Sequence, residues 1–212
     1  SVIANNFISI GGTSTSYGLY PYYSNYIDIY HNSVHNYGSS TSARAFYLNY
    51  GGNINVRNNV FAATGGGYAY YLGTTATIFT SDYNNLYATG SSLGYYGATA
   101  ATLTDWTTLT LKDSNSVSIN PEFVSQTNLH TFNINMNNLG TPVGITTDID
   151  GEIRNLTTPD IGADEFTPAA EDAGVTAIIE PVNNPRPITG NLYNVVVDIH
   201  NFGTDTLESA SI

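Results

Sequence analysis

The stretch DIYHNSVH, residues 28–35, returns one period later as NVRNNVFA, residues 55–62. Each alternates apolar with polar residues and carries a polar pair at its centre, His31-Asn32 in one and Asn58-Asn59 in the other. The same frame occurs upstream as VIANNFIS (2–9) and downstream as SDYNNLYA (81–88). The second asparagines of these pairs, Asn6, Asn32, Asn59 and Asn85, fall 26, 27 and 26 residues apart. A second, aromatic segment recurs between them: YGLYPYY (17–23), RAFYLNY (44–50), YAYYLGT (68–74) and LGYYGAT (93–99).

Period two is the signature of a strand, whose side chains point alternately to its two faces. Ile27, Ile29 and Val34 share one side, opposite Asp28 and Tyr30. Ile54, Val56 and Phe61 fill the same slots one coil later, with Asn55 and Arg57 outward. On this alignment Asp28 precedes Asn55 and Ser81 in one column, Tyr30 precedes Arg57 and Tyr83 in the next, and His31 shares a slot with Asn5, Asn58 and Asn84. Short strands repeating at this interval predict an all-β solenoid, each coil burying its apolar side by stacking on the next. Coils over 1–98, a capping region over 99–167 and a separate tail over 168–212 are expected. An asparagine amide both donates and accepts, so Asn6, Asn32, Asn59 and Asn85 are predicted to form a structural ladder inside the corner.

Composition narrows the function. Five basic residues against 17 acidic ones give a net charge of −12, which excludes the phosphate contacts of a nucleic-acid binder. No apolar run is long enough to cross a bilayer, so membrane insertion is not expected. Cysteine is absent, which rules out disulfides and thiolate metal sites. Charged residues make up only 10% of the chain and tyrosine is abundant at 17, a polar surface carried by amides, hydroxyls and aromatic rings. Both termini read as strand, as in a segment of a longer polypeptide.

These coils, with LTDWTTLTLKDSNSVSINPEFVSQTNLHTF (103–132) and DIDGEIRNLTTPDIGADEF (148–166), resemble right-handed parallel β-helix proteins of the pectate-lyase-like kind. The second and third stretches are similar to the C-terminal end of secreted Bacteroidetes-type β-helix proteins. The resemblance implies right-handed winding, three faces per coil and an extracellular place, secreted by a type IX route or held at the cell surface. The tail, DAGVTAIIEPVNNPRPITGNLYNVVVDIHNFGTDTLESASI (172–212), resembles the opening of CARDB-like Ig-type adhesion modules, and so a partial β-sandwich. Asp205-Thr206-Leu207 resembles a Bacteroidetes O-glycosylation acceptor.

Six carboxylates crowd residues 148–165, with Arg154 the single cation among them. Three readings compete. As a cap, Arg154, Asp160 and Asp164 fix the turn against the last coil, with Trp106 on the apolar side of a short helix over 102–109 that Thr102 or Thr104 caps. As a calcium site, Asp148, Asp150 and Glu152 alternate around Gly151, though too few residues follow for a full calcium loop. As an acid/base pair, two carboxylates would have to share a cleft. No certain cofactor is expected beyond this candidate calcium.

The tyrosines supply the binding hypothesis. Rings that point outward among amides and hydroxyls can hold a sugar chain, its C–H faces on the rings and its hydroxyls on the amides. Tyr30, Arg57, Tyr83, Tyr47 and Tyr71 are the candidates, with Arg57 between tyrosines as a cation–π contact. Tyrosine is also simply a good strand residue. The functional expectation is a non-catalytic stalk, adhesin or glycan-binding surface whose partners are a polysaccharide or glycan and other modules of the same polypeptide. The alternative is the distal end of a polysaccharide lyase or glycoside hydrolase with its active coils upstream.

Overall fold

The computed structural model describes residues 1–73, 78–168, 170, 173–180, 195–206 and 208, with 78 and 79 described by backbone alone. Two compact units result, Ser1–Phe166 and Thr167–Ile212.

The first unit is a parallel β-solenoid of about three turns. Its first coil holds β1 (Val2–Ala4), β2 (Phe7–Ile10) and β3 (Tyr17–Leu19), followed by the short β4 (Ser24–Asn25). The next holds β5 (Asp28–Tyr30), β6 (Ser33–Asn36), β7 (Arg44–Leu48) and the short β8 (Gly51–Gly52). Then come β9 (Ile54–Arg57), β10 (Val60–Ala63) and β11 (Tyr68–Leu72), and finally β12 (Ile78–Asp82), β13 (Asn85–Ala88) and β14 (Gly94–Tyr96). Like strands stack into three parallel sheets, β1-β5-β9-β12, β2-β6-β10-β13 and β3-β7-β11-β14. Ile29, Val34, Phe46, Leu48, Ile54, Val56, Phe61, Tyr70 and Leu86 fill the space between them.

The corner between the first two sheets explains the repeated polar pair. Its first residue adopts a left-handed backbone in every coil, at Asn5 (φ 55°), His31 (50°), Asn58 (56°) and Tyr83 (57°). Asparagine and histidine tolerate that region better than most residues. The second residue turns its amide inward. Asn6 Nδ2 donates to Asn32 Oδ1 (2.8 Å), Asn32 Nδ2 to Asn59 Oδ1 (2.9 Å) and Asn59 Nδ2 to Asn84 Oδ1 (3.1 Å). Asn59 also donates to the Ile29 and Arg57 carbonyls and accepts from the Asn32 backbone N–H, so the amides satisfy corner groups that water cannot reach.

The last rung is therefore Asn84, not Asn85. The register of β12 on β9 slips between Ile78 and Thr80, so that Asp82 pairs with Arg57 and Asn85 with Val60. The columns change accordingly. Tyr83, not Asn84, takes the corner slot. Thr80, not Ser81, follows Asp28 and Asn55, and Asp82, not Tyr83, follows Tyr30 and Arg57. Asn85 instead accepts from Ile119 N–H and donates to its carbonyl, both at 2.9 Å.

The far end of the stack is closed by a short piece of chain. β15 (Ala98–Ala100) turns back antiparallel on β14, and α1 (Leu103–Thr110) lies across it. Thr102 caps α1: its Oγ1 accepts from Asp105 N–H while the Asp105 carboxylate accepts from Thr102 N–H. Trp106 stacks on Tyr70 (4.9 Å between centroids) and its Nε1–H donates to Asp113 Oδ2 (2.9 Å). The indole leaves no room on β14: a β-carbon at Gly94 would sit 2.6 Å from its ring. Asp113 then terminates the ladder, Oδ1 accepting from Asn84 Nδ2 (3.0 Å), Ser81 Oγ (3.0 Å) and Ser116 Oγ (2.7 Å).

Residues 117–166 do something the sequence did not suggest. They run back along the outside of the β2-β6-β10-β13 sheet as a lateral layer. Met136 and Ile161 pack on Val60 and Ala62, flanked by Val117, Ile119, Phe123 and Leu139, a second core on the other face of that sheet. Gly162 N–H donates to the Asn58 carbonyl (2.8 Å), Ala163 N–H to Ser33 Oγ (3.0 Å) and Asn5 Nδ2 to the Thr147 carbonyl (2.7 Å). Phe7 meets His130 edge to face at 4.8 Å. The acidic stretch thus lies against the early coils and does not seal the far end, which corrects the expected place of Arg154, Asp160 and Asp164.

The second unit contributes β16 (Ala173–Glu180) and β17 (Val196–Asn201), an antiparallel pair. Leu207 of the expected glycosylation acceptor lies outside the described residues. Among the described residues no helix is long and apolar enough to cross a membrane.

Candidate functional site

The β3-β7-β11-β14 sheet carries a continuous band of aromatic rings. Tyr47, Tyr71 and Tyr95 stand in register on β7, β11 and β14. Tyr71 stacks on Tyr95 (4.6 Å, 14°) and meets Tyr47 edge to face, and Tyr47 stacks on Tyr20 (4.6 Å, 11°). The guanidinium of Arg44 lies 3.7 Å from the Tyr71 centroid and 4.1 Å from that of Tyr47. The cation–π contact expected at Arg57 therefore belongs to Arg44, which opens β7 in register with Tyr17 and Tyr68. Tyr30 and Arg57 stand on another sheet, where the Tyr30 hydroxyl donates to Asp28 Oδ1 (3.2 Å), and Tyr83 forms a corner. The five predicted contact residues do not form one surface; Tyr47 and Tyr71 alone share the band.

The band continues onto a ledge that sequence reasoning did not single out. Tyr20 contacts Tyr22 (5.4 Å), and Tyr22 and Tyr23 both contact Tyr50, Tyr23 stacking on it at 4.6 Å and 6°. The pairing of β4 with β8 supports this ledge. Gly51 permits it: its φ is 114°, and a β-carbon there would lie 2.0 Å from the Ser24 carbonyl oxygen. Tyr23 and Tyr26 hold left-handed backbones (φ 50° and 55°) while 63% and 73% exposed. Bulky residues are held in that region at a cost of about 1–3 kcal/mol each. Asn25 on β4 and Asn53 just after β8 are also exposed. The signal available in sequence was LYPYYSNY (19–26), tyrosine-dense around a proline.

The acidic stretch resolves into separate jobs. Asp148 organises a hairpin turn: Oδ1 accepts from the N–H groups of Asp150 (2.9 Å) and Glu152 (2.8 Å), and Oδ2 from Glu165 N–H (3.0 Å). Its oxygens are thus committed to the backbone and Glu152 is exposed, so Asp148, Asp150 and Glu152 do not converge as calcium ligands. Arg154 is buried and spans the corner. Nη1 pairs with Glu165 Oε2 (3.2 Å), while Nη2 donates to Asn5 Oδ1 (3.1 Å) and to the Gly162 (3.2 Å) and Ala163 (2.8 Å) carbonyls. Beside it His31 donates from Nδ1 to the Gly162 carbonyl and accepts from Asn58 Nδ2 at Nε2. Burial, with the Arg154 charge second, pushes His31 down to about 3, so it stays neutral.

Asp160 is also buried, its carboxylate accepting from Phe166 N–H (2.9 Å) and Asn138 N–H. Burial pushes it up to about 7 against those two donors. An unfolded aspartate ionises near pH 4. The folded chain therefore holds an extra proton from about pH 4 to about 7. The stability this contributes is complete below pH 4 and is lost as pH rises through 7. Asp160→Asn is expected to remove that part of the decline. Parallel melting curves across this window for the two proteins would refute the assignment.

Asp150, at the hairpin tip, meets His130, with Nε2 and Oδ2 2.7 Å apart. The buried Asp164 completes a cluster with them, the three ligand-capable atoms lying within 4.8 Å of one another. Sequence spacing concealed this grouping, because His130 lies 20 residues before Asp150. In comparisons with known proteins, the chain matches no family model, no curated protein and no solved structure.

Proposed function

We propose that this chain is a non-catalytic, carbohydrate-contacting segment of a larger secreted or cell-surface β-solenoid protein. One observation supports the reading above the others: Tyr23 and Tyr26 stand exposed on left-handed backbones, and Tyr23 shares a ring cluster with Tyr22 and Tyr50. The ledge offers exposed ring surface with exposed amides near it in sequence, the pairing a sugar chain needs. Strain kept at an exposed position suits a binding surface better than packing. The inner rings at Tyr47 and Tyr71 occupy one another's faces and the guanidinium of Arg44, so they act as the footing of the ledge.

A glycan array probed with the full chain tests this, followed by titration of the best oligosaccharide. Tyr23→Ala is expected to weaken that binding about tenfold, the equivalent of roughly 1.4 kcal/mol, within the range of an aromatic contact. Melting temperature should hold, because the ring is exposed. An empty array, or equal affinity in the variant, would overturn the reading.

A further inference from the structure

The geometry points to a divalent transition-metal site formed by His130, Asp150 and Asp164, clasping the lateral layer to itself. The three residues come from separate segments: the loop after Phe123, the tip of the 146–154 hairpin, and the closing IGADEF stretch. Their ligand-capable atoms lie within 4.8 Å of one another, close enough to share one ion with little movement.

His130 and Asp150 are held from behind. His130 Nδ1 contacts Asn128 Oδ1, which fixes the N–H on that side and leaves the Nε2 lone pair facing Asp150. This outer-partner arrangement is the usual one for a histidine ligand. Asp150 is placed by its own N–H, which donates to Asp148 Oδ1 (2.9 Å). Asp164 is fixed by its burial.

Charge supplies an independent reason. Asp164 is only 8% exposed. Among the described residues Arg154 pairs with Glu165 and His130 with Asp150, so Asp164 has no ion-pair partner of its own. A protonated His130 would neutralise one of the two carboxylates and leave the other buried. A divalent ion bound to neutral His130 neutralises both. Imidazole among the ligands favours zinc and its neighbours over calcium, and three protein ligands leave a position for water or an external donor. The clasp lies on the lateral layer and does not depend on the tyrosine ledge.

Zinc titrated into the chelator-treated full chain, in competition with a chromophoric chelator, should show one ion per chain and a raised melting temperature. Asp150→Asn is the decisive variant: its side chain is 53% exposed, so the fold should persist while zinc binding is lost. Asn128→Ala should keep the site and weaken it about 10–100-fold. His130→Gln should lose binding as Asp150→Asn does. Absence of stoichiometric binding, an affinity in the Asp150 or His130 variant equal to that of the unaltered chain, or tighter binding of calcium than of zinc would each overturn the assignment.

Discussion

Arg154→Ala is expected to cost about 3–5 kcal/mol, the usual penalty for removing one partner of a buried ion pair. Four acceptors each lose a donor at once: Glu165 Oε2, Asn5 Oδ1 and the carbonyls of Gly162 and Ala163. Those groups belong to the first coil and to the closing segment of the chain, so the loss falls on the join between them. Denaturant unfolding gives the magnitude. Amide exchange locates it, with the fastest new exchange expected at Gly162 and Ala163, whose N–H groups bond to Asn58 and Ser33. Lysine should recover little, since a single ammonium cannot reproduce the planar fork of donors. A loss under 1 kcal/mol, or faster exchange confined to α1, would contradict this role.

Asn59→Ala tests the ladder. The amide donates to Ile29, Arg57 and Asn84 and accepts from Asn32 through both its backbone N–H and its Nδ2. Each buried group left without a partner costs about 1–3 kcal/mol, so several kcal/mol should be lost. Asn59→Asp should be no better, because a carboxylate cannot donate and would be buried unpaired. Asn6→Ala at the half-buried first rung should cost far less, near 1 kcal/mol. That gradient from end to centre is specific to a hydrogen-bonded column. Equal costs at both positions would argue that asparagine serves only the turn.

The strands and their interval were legible because alternation is local and each coil repeats it. Asn6, Asn32 and Asn59 could be aligned for the same reason. The fourth rung could not. SDYNNLYA offers two adjacent asparagines, and the choice between them is made by a slip at Ile78–Thr80 that leaves no mark on composition. Arg57 was preferred to Arg44 by the same mistaken column. The lateral layer was illegible for a different reason. Its contacts join residues more than a hundred positions apart, such as Ser33 with Ala163 and Asn5 with Arg154. The acidic residues that look like one site in sequence are divided by that layer among a turn, an ion pair, a buried acid and a clasp. The tyrosine ledge was visible as composition, but its left-handed backbones at Tyr23 and Tyr26 flank β4, which like its partner β8 is only two residues long and leaves little pattern to read.

Stacked coils in isolation can peel away one at a time, since each touches only its neighbours. Here residues 117–166 touch Asn5, Phe7, His31, Ser33, Asn58, Val60 and Asn85, so every level is fastened to the same strip of chain. Fraying of the first coil would require that strip to lift, and lifting it uncovers a face of every coil. Residues 1–166 should accordingly melt in a single cooperative step, the behaviour of a globular domain built on a repetitive frame.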